Sequence, residues 1–287
     1  MRRLFLLILL SIGIVNSQAG VSTGLKAAME KGFVRVTATT NGAVYHGKAL
    51  KLQVSNTTRE RLQIAVDPAL IFRPDDKGYQ DLVLPAEEML VIAPGGIVEI
   101  DVQTFCGKLH AAAPGSKLSY KFWKQGDSSL IRVTQYIRKN QLYDYLGQQA
   151  VWVMTDGNDL EGIIDPARPK QSADLLALLV TLTGKPAPEY FRYYRLDTVA
   201  GQPVFKKRIL KIITNVDWKL EESAPITLGI YNATGDLVQG FLDEKEMAKG
   251  GYKMQVQFEA ENAPPGAYYM RLKRDDKLMK EIKVTVE

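Results

Sequence analysis

The sequence predicts a mainly β protein: an N-terminal β-sandwich, a short three-helix subdomain and a second β-sandwich at the C-terminal end. Three observations carry this prediction. Before residue 128 and after residue 206 the chain is a series of short runs in which apolar and polar residues alternate, the period of a half-buried strand. Turn chemistry separates those runs, as in Asn56-Thr57-Thr58, Pro94-Gly95-Gly96 and Pro264-Pro265-Gly266. Only residues 128–194 carry the three-to-four-residue spacing of amphipathic helices.

The first 19 residues read as a signal peptide. Arg2 and Arg3 form a charged front, an apolar run follows, and Ser17-Gln18-Ala19 has the small-x-small form of a cleavage site. Export to the periplasm, the outer membrane surface or the extracellular space is therefore expected. The apolar run is about a dozen residues, short of the roughly 20 that a bilayer span needs. No other stretch is long enough, so the mature chain is expected to have no transmembrane segment. The residue directly after the cut is Gly20 and not cysteine, which argues against a lipoprotein anchor.

Of 287 residues, 268 remain after the leader, enough for two or three domains. The leader holds two of the 37 Lys and Arg, leaving 35 against 32 Asp and Glu. That near-neutral balance, with no basic stripe interleaved with aromatics, excludes nucleic acid as the expected partner. One cysteine, Cys106, excludes an internal disulfide, so stability must come from packed cores.

Residues 20–127 form the first domain. After a polar lead in which residues 26–31 have the makings of a helical turn, the chain alternates at Val34, Val36 and Ala38, then at Leu50, Leu52 and Val54, and at Leu62, Ile64 and Val66. Further runs lie at 82–84, 90–92 and 98–102. Short strands at this spacing predict a sandwich.

Residues 128–196 form the helical subdomain. Leu130, Val133 and Ile137 mark the first helix, with Ser128 as its expected N-cap. Leu146, Ala150, Val153 and Met154 mark the second, between Asp144 and Gly157, and Trp152 is the expected core anchor. Leu175, Leu176, Leu179 and Leu182 mark the third, with Ser172 expected to cap it and Gly184 to end it. Residues 197–287 return to strands, including Ile226, Leu228 and Ile230 before a hairpin turn at 231–236.

Two resemblances add to this reading. Asn56 after a strand, FCGKLHAAAPG at 105–115 and QQAVWVMTDG at 148–157 resemble a group of exported bacterial proteins in which a β-sandwich precedes a helical subdomain with a Gln-x-Ala-Val-Trp phrase. No activity comes with that likeness. The order LGIYNATGDLVQGF, KGGYKMQVQF and APPGAYYMRLKRDDKLMKEIKVTVE is similar to the Ig-like domain of flagellar hook-capping proteins, and equally to the C-terminal sorting domains of type IX secretion cargo. It implies an Ig-like sandwich for residues 197–287, of a kind that serves as a tail or adaptor in unrelated proteins.

Candidate chemistry is sparse. Cys106 and His110 are four apart, which suits half a metal site or a Cys–His nucleophile pair; the remaining histidine is His46. The plainer reading makes Cys106 a small buried hydrophobe at a strand end. A third is a thioester from Cys106 to a glutamine such as Gln148 or Gln149, which would place a reactive bond in an exported protein. Asp156, Asn158, Asp159 and Glu161 offer oxygens for calcium, but Leu160 and Ala167 stand where the EF-hand pattern needs ligands. Tyr190, Phe191, Arg192, Tyr193 and Tyr194 read either as a glycan- or peptide-binding surface or as packing between domains. No Ser-His-Asp set and no phosphate-binding glycine loop is present. The expectation is a non-enzymatic structural or interaction protein of the bacterial envelope or cell surface, with a protein or envelope component as partner and with no cofactor or bound metal. A glycan- or small-ligand-binding module is the alternative, and an enzyme or covalent-adhesion site at Cys106 is the third reading.

Overall fold

The computed structural model describes residues 21–42, 46–85, 88–197 and 206–286, and the signal peptide expected over residues 1–19 lies outside them. The protein is mainly β, as its sequence predicts. Its N-terminal part contains β1 (Val21–Gly24), α1 (Leu25–Glu30), β2 (Val34–Thr40), β3 (His46–Asn56), β4 (Leu62–Ala65), β5 (Leu70–Pro74), β6 (Leu82–Leu84), β7 (Met89–Ile92), β8 (Ile97–Cys106) and β9 (Ser119–Gln125).

These strands do not make the expected sandwich. Six of them close into a barrel in the order β2-β3-β8-β6-β5-β9, and β1-β4-β7 form a separate three-stranded sheet. Closure comes from β2, where Ala38 faces Leu52 of β3 on one side and Tyr120 of β9 on the other. A strand with one buried face alternates in the same way in a sandwich and in a barrel, so the pattern alone does not separate the two. The barrel core holds Leu50, Leu52, Phe72, Leu82 and Tyr120, and one residue from the helical region, Trp152, joins it.

The helical part contains α2 (Ser128–Lys139), α3 (Tyr145–Thr155), a 3-10 turn (Leu160–Gly162) and α4 (Pro169–Thr183). Asp127, rather than Ser128, caps α2; its carboxylate accepts from Leu130 N at 2.8 Å. Asp144 caps α3 as expected, and Gly157 follows its end at φ +69°. α4 starts three residues before the expected cap, because Pro169 at its first position has a fixed φ and no N–H to satisfy. Ser172 is therefore inside the helix, where its hydroxyl accepts from Asp165 N and donates to the Arg168 carbonyl. Gly184 ends α4 at φ +69°. Among the described residues, no helix is long and apolar enough to cross a membrane.

The C-terminal part contains β10 (Tyr190–Asp197), β11 (Lys206–Leu220), β12 (Ala224–Tyr231), β13 (Leu237–Met247), β14 (Gly250–Glu259), β15 (Gly266–Arg274) and β16 (Lys277–Val286). They form two sheets, β10-β11-β14 and β13-β12-β15-β16. Ile212, Val216 and Phe258 of the first meet Leu228, Met270 and Ile282 of the second in one core. The boundary with the helical part falls before Tyr190 and not at residue 197, since Tyr190 pairs with Thr214 and Phe191 with Ile213. A bulge between Tyr193 and Tyr194 breaks the alternation of this strand, which hides it in the sequence, while its Tyr and Phe content suits a pleated, half-buried surface.

Candidate functional site

Cys106 is the last residue of β8 and is held by its pairing with Leu82 of β6. Successive residues of a strand face opposite sides. Cys106 accordingly belongs to the barrel core, while Phe105 belongs to the core beneath the helices.

α3 crosses β8 at this point, and Gly147 makes the crossing possible. A Cβ there would lie 2.0 Å from the Leu142 carbonyl oxygen and 3.0 Å from the Phe105 ring. The next residue, Gln148, lays its amide along the Cys106 backbone. Cys106 N–H donates to Gln148 Oε1 at 2.9 Å, and Gln148 Nε2 donates to the Cys106 carbonyl at 2.8 Å. Both residues are fully buried. One turn along the same helix face, Trp152 enters the barrel core.

The surroundings of Cys106 are apolar and closed. Burial pushes its thiol well above the ordinary range. Tyr120 shares the core and donates its hydroxyl to Gln80 O at 2.9 Å; burial raises its pKa, and the neighbouring Cys106 and Asp81 add to the rise. The segment after Cys106 is tied down at several points. Gly107 N donates to Asp81 O at 2.8 Å, Lys108 N to Gln80 Oε1 at 2.7 Å, and Leu109 N to the Asp156 carboxylate at 2.7 Å. Gln80 also donates to Ala111 O at 2.6 Å. Beside this segment is a cleft of about 380 Å³, lined in part by Gly107, Lys108, Arg73, Asp81 and Trp123.

Both bonds run to the backbone of Cys106 and hold the Gln148 amide beside that residue. If the thiol adds to the side-chain carbonyl carbon of Gln148, negative charge develops on Oε1, and the Cys106 N–H already points at that oxygen.

The other candidate residues fall out differently. His110 is exposed on its loop while Cys106 is buried, so the two do not form a Cys–His pair. The side chain of His46 lies outside the described residues. Among the described residues, no group of three or more His, Cys, Asp and Glu gathers as a metal site. The acidic run after α3 has structural uses. Asp156 holds the loop at Leu109, Asn158 donates to Gln149, and Glu161 pairs with Arg192 at 2.8 Å; Asp159 precedes the 3-10 turn without a side-chain cap bond.

The aromatic segment is strand β10. Tyr190 and Tyr194 pack on the C-terminal core, Phe191 is half-buried, and Arg192 lies over the Tyr190 ring. Tyr193 meets Tyr145 edge to face, with ring centroids 5.4 Å apart. Tyr145 was not a candidate in the sequence, and neither was Gly147. A glycine inside an apolar helix pattern is a signal for close approach and marks Gly147; no local pattern marks Tyr145. Neither a scan against protein-family models nor a search of the curated proteins finds a match to this chain.

Proposed function

We propose that this is an exported, non-enzymatic interaction protein that forms an internal thioester between Cys106 and Gln148 and attaches through it to a protein or envelope partner. The observation that carries the reading is the pair of hydrogen bonds joining the Gln148 amide to both backbone polar groups of Cys106 in a sealed site. An amide is a poor acyl donor, and fixing the reacting groups together is what overcomes this; well-oriented pairs reach effective concentrations of about 10⁵–10⁸ M.

In the forming step the Sγ–H of Cys106 adds to Cδ of Gln148. The Cδ–Nε2 bond breaks, the thiol proton leaves with the nitrogen as ammonia, and nothing is oxidised or reduced. In the attaching step the buried site must first open; a partner amine then adds to Cδ, the C–S bond breaks, and Cys106 recovers its thiol. Each molecule reacts once, which is attachment and not turnover. The leader supports export, and the likeness of the C-terminal sandwich to tail and adaptor domains supports a presenting role for it. Packing of the aromatic strand on Tyr145, Glu161 and the C-terminal core leaves the glycan-binding reading without an observation of its own.

Intact-mass measurement of the purified protein tests this. The expected mass is about 17 Da below that calculated for the same residues without the link, with a gain of about 31 Da on treatment with methylamine. Cys106→Ala and Gln148→Ala should each carry the full sequence mass. A wild-type protein at full sequence mass, with Cys106 alkylated by iodoacetamide after denaturation, would overturn the proposal.

A further inference from the structure

The first turn of α3 is gripped from two sides. On one side is the barrel, through the contact of Gly147 with Phe105. On the other is β10, a strand of the C-terminal sandwich. Tyr145 is the first residue of α3 and is the point of that second grip. Its ring meets Tyr193 edge to face, its hydroxyl donates to Gly162 O at 3.2 Å, and it accepts from Tyr194 N at 3.4 Å. Next to it, the half-buried ion pair of Arg192 with Glu161 fixes β10 to the 3-10 turn. That turn in turn packs on α3, where a Cβ on Gly162 would lie 2.8 Å from Gln149 Oε1.

Gln148 is three residues beyond Tyr145, less than one helical turn and about 4.5 Å along the axis. A shift of the first turn therefore moves the Gln148 amide relative to Cys106, and displacements of about 1 Å are enough to cost large factors in rate.

We infer that Tyr145 is a positioning residue for the Cys106–Gln148 bond, through which the C-terminal sandwich sets how fast that bond forms. The inference rests on the thioester reading above. It makes the C-terminal sandwich a working part of the reactive half of the molecule, and it gives tension on that sandwich a direct route, through β10, to the helix that carries Gln148.

The test uses the full chain made by cell-free synthesis, followed by intact mass over time, with Tyr145→Phe and Tyr193→Leu as variants. Tyr145→Phe keeps the ring and removes both hydroxyl bonds; Tyr193→Leu removes the edge-on ring and leaves the β10–β11 pairing. The expected result is that both variants fold, and that the loss of about 17 Da in the folded fraction is slower than in wild type by about tenfold. Linking at the wild-type rate in both variants would overturn the inference. A slowing that only tracks the loss of folded protein by circular dichroism in the same samples would also overturn it, because it marks a merely structural role. A wild-type chain that never links would sink the thioester reading itself, and this inference with it.

Discussion

Gly147 decides whether Gln148 reaches Cys106. Gly147→Ala places a methyl group 2.0 Å from the Leu142 carbonyl oxygen of the preceding loop and 3.0 Å from the Phe105 ring of β8, so the start of α3 must shift against both. The expected outcome is a loss of about 1–3 kcal/mol in chemical denaturation, together with return of the intact mass to that of the unlinked sequence. A second residue-scale effect concerns alkaline pH. Burial raises the pKa of Tyr145 and of Tyr120 above their ordinary value of 10.0. Both are neutral when protonated, so the folded state retains protons that the unfolded chain releases. Their contribution to stability is complete below pH 10 and declines as pH rises above it. Urea midpoints measured across this range should fall, and the fall should be shallower in Tyr145→Phe. Cys106 acts in the same sense from about pH 9 when its thiol is free, and it drops out of the titration when it is linked. The site is partly legible in the sequence. Cys106 and a glutamine of the 148–149 pair are visible as candidates, but neighbouring helix residues point roughly 100° apart, and only the seat of α3 on β8 selects Gln148.

At the level of elements, β10 is where sequence and structure differ most. Tyr190, Phe191, Tyr193 and Tyr194 mark a strand by composition, but they stand next to a helix pattern and carry a bulge, so the run reads as a connection. Its role is set by contacts with residues about 30 to 50 positions earlier in the chain, Glu161 and Tyr145. Arg192→Ala leaves the Glu161 carboxylate half-buried without its ion-pair partner, and the expected cost is about 1–3 kcal/mol, read as a lowered denaturation midpoint. α2, α3 and α4 were legible because helix caps and periodicity are local signals. Their errors are local too. Asp127 displaces Ser128 as a cap, and Pro169 starts α4 ahead of Ser172.

For the molecule as a whole, the barrel and the helices are one unit, because Trp152 of α3 completes the barrel core. Trp152→Ala removes the largest fully buried side chain, with an expected cost of about 3–5 kcal/mol, and far-UV signals from strands and helices should be lost in a single transition at a lower temperature. The C-terminal sandwich is tied to this unit through β10. Release of the segment beyond a cut between Asp197 and Lys206 would part β10 from β11 and leave the facing edge of each unpaired. Protein recovered from its native compartment is therefore expected to retain β11 to β16, and a mass ending between residues 196 and 207 would instead make that sandwich a removable tail.

By itself the sequence determined what local chemistry determines: a mainly β chain, three helices and their approximate ends, most strand positions, and Cys106 and a pair of glutamines as candidate chemistry. Tertiary structure decided what depends on distant residues meeting. It closed six strands into a barrel through β2 and β9, joined β10 to β11, and seated α3 on β8 so that Gln148 and not Gln149 lies on Cys106. The physical reason is the range of the signals. Periodicity and capping act over a few residues, whereas strand closure and the Cys106–Gln148 contact join groups 42 or more positions apart, whose meeting is governed by the packing of whole elements.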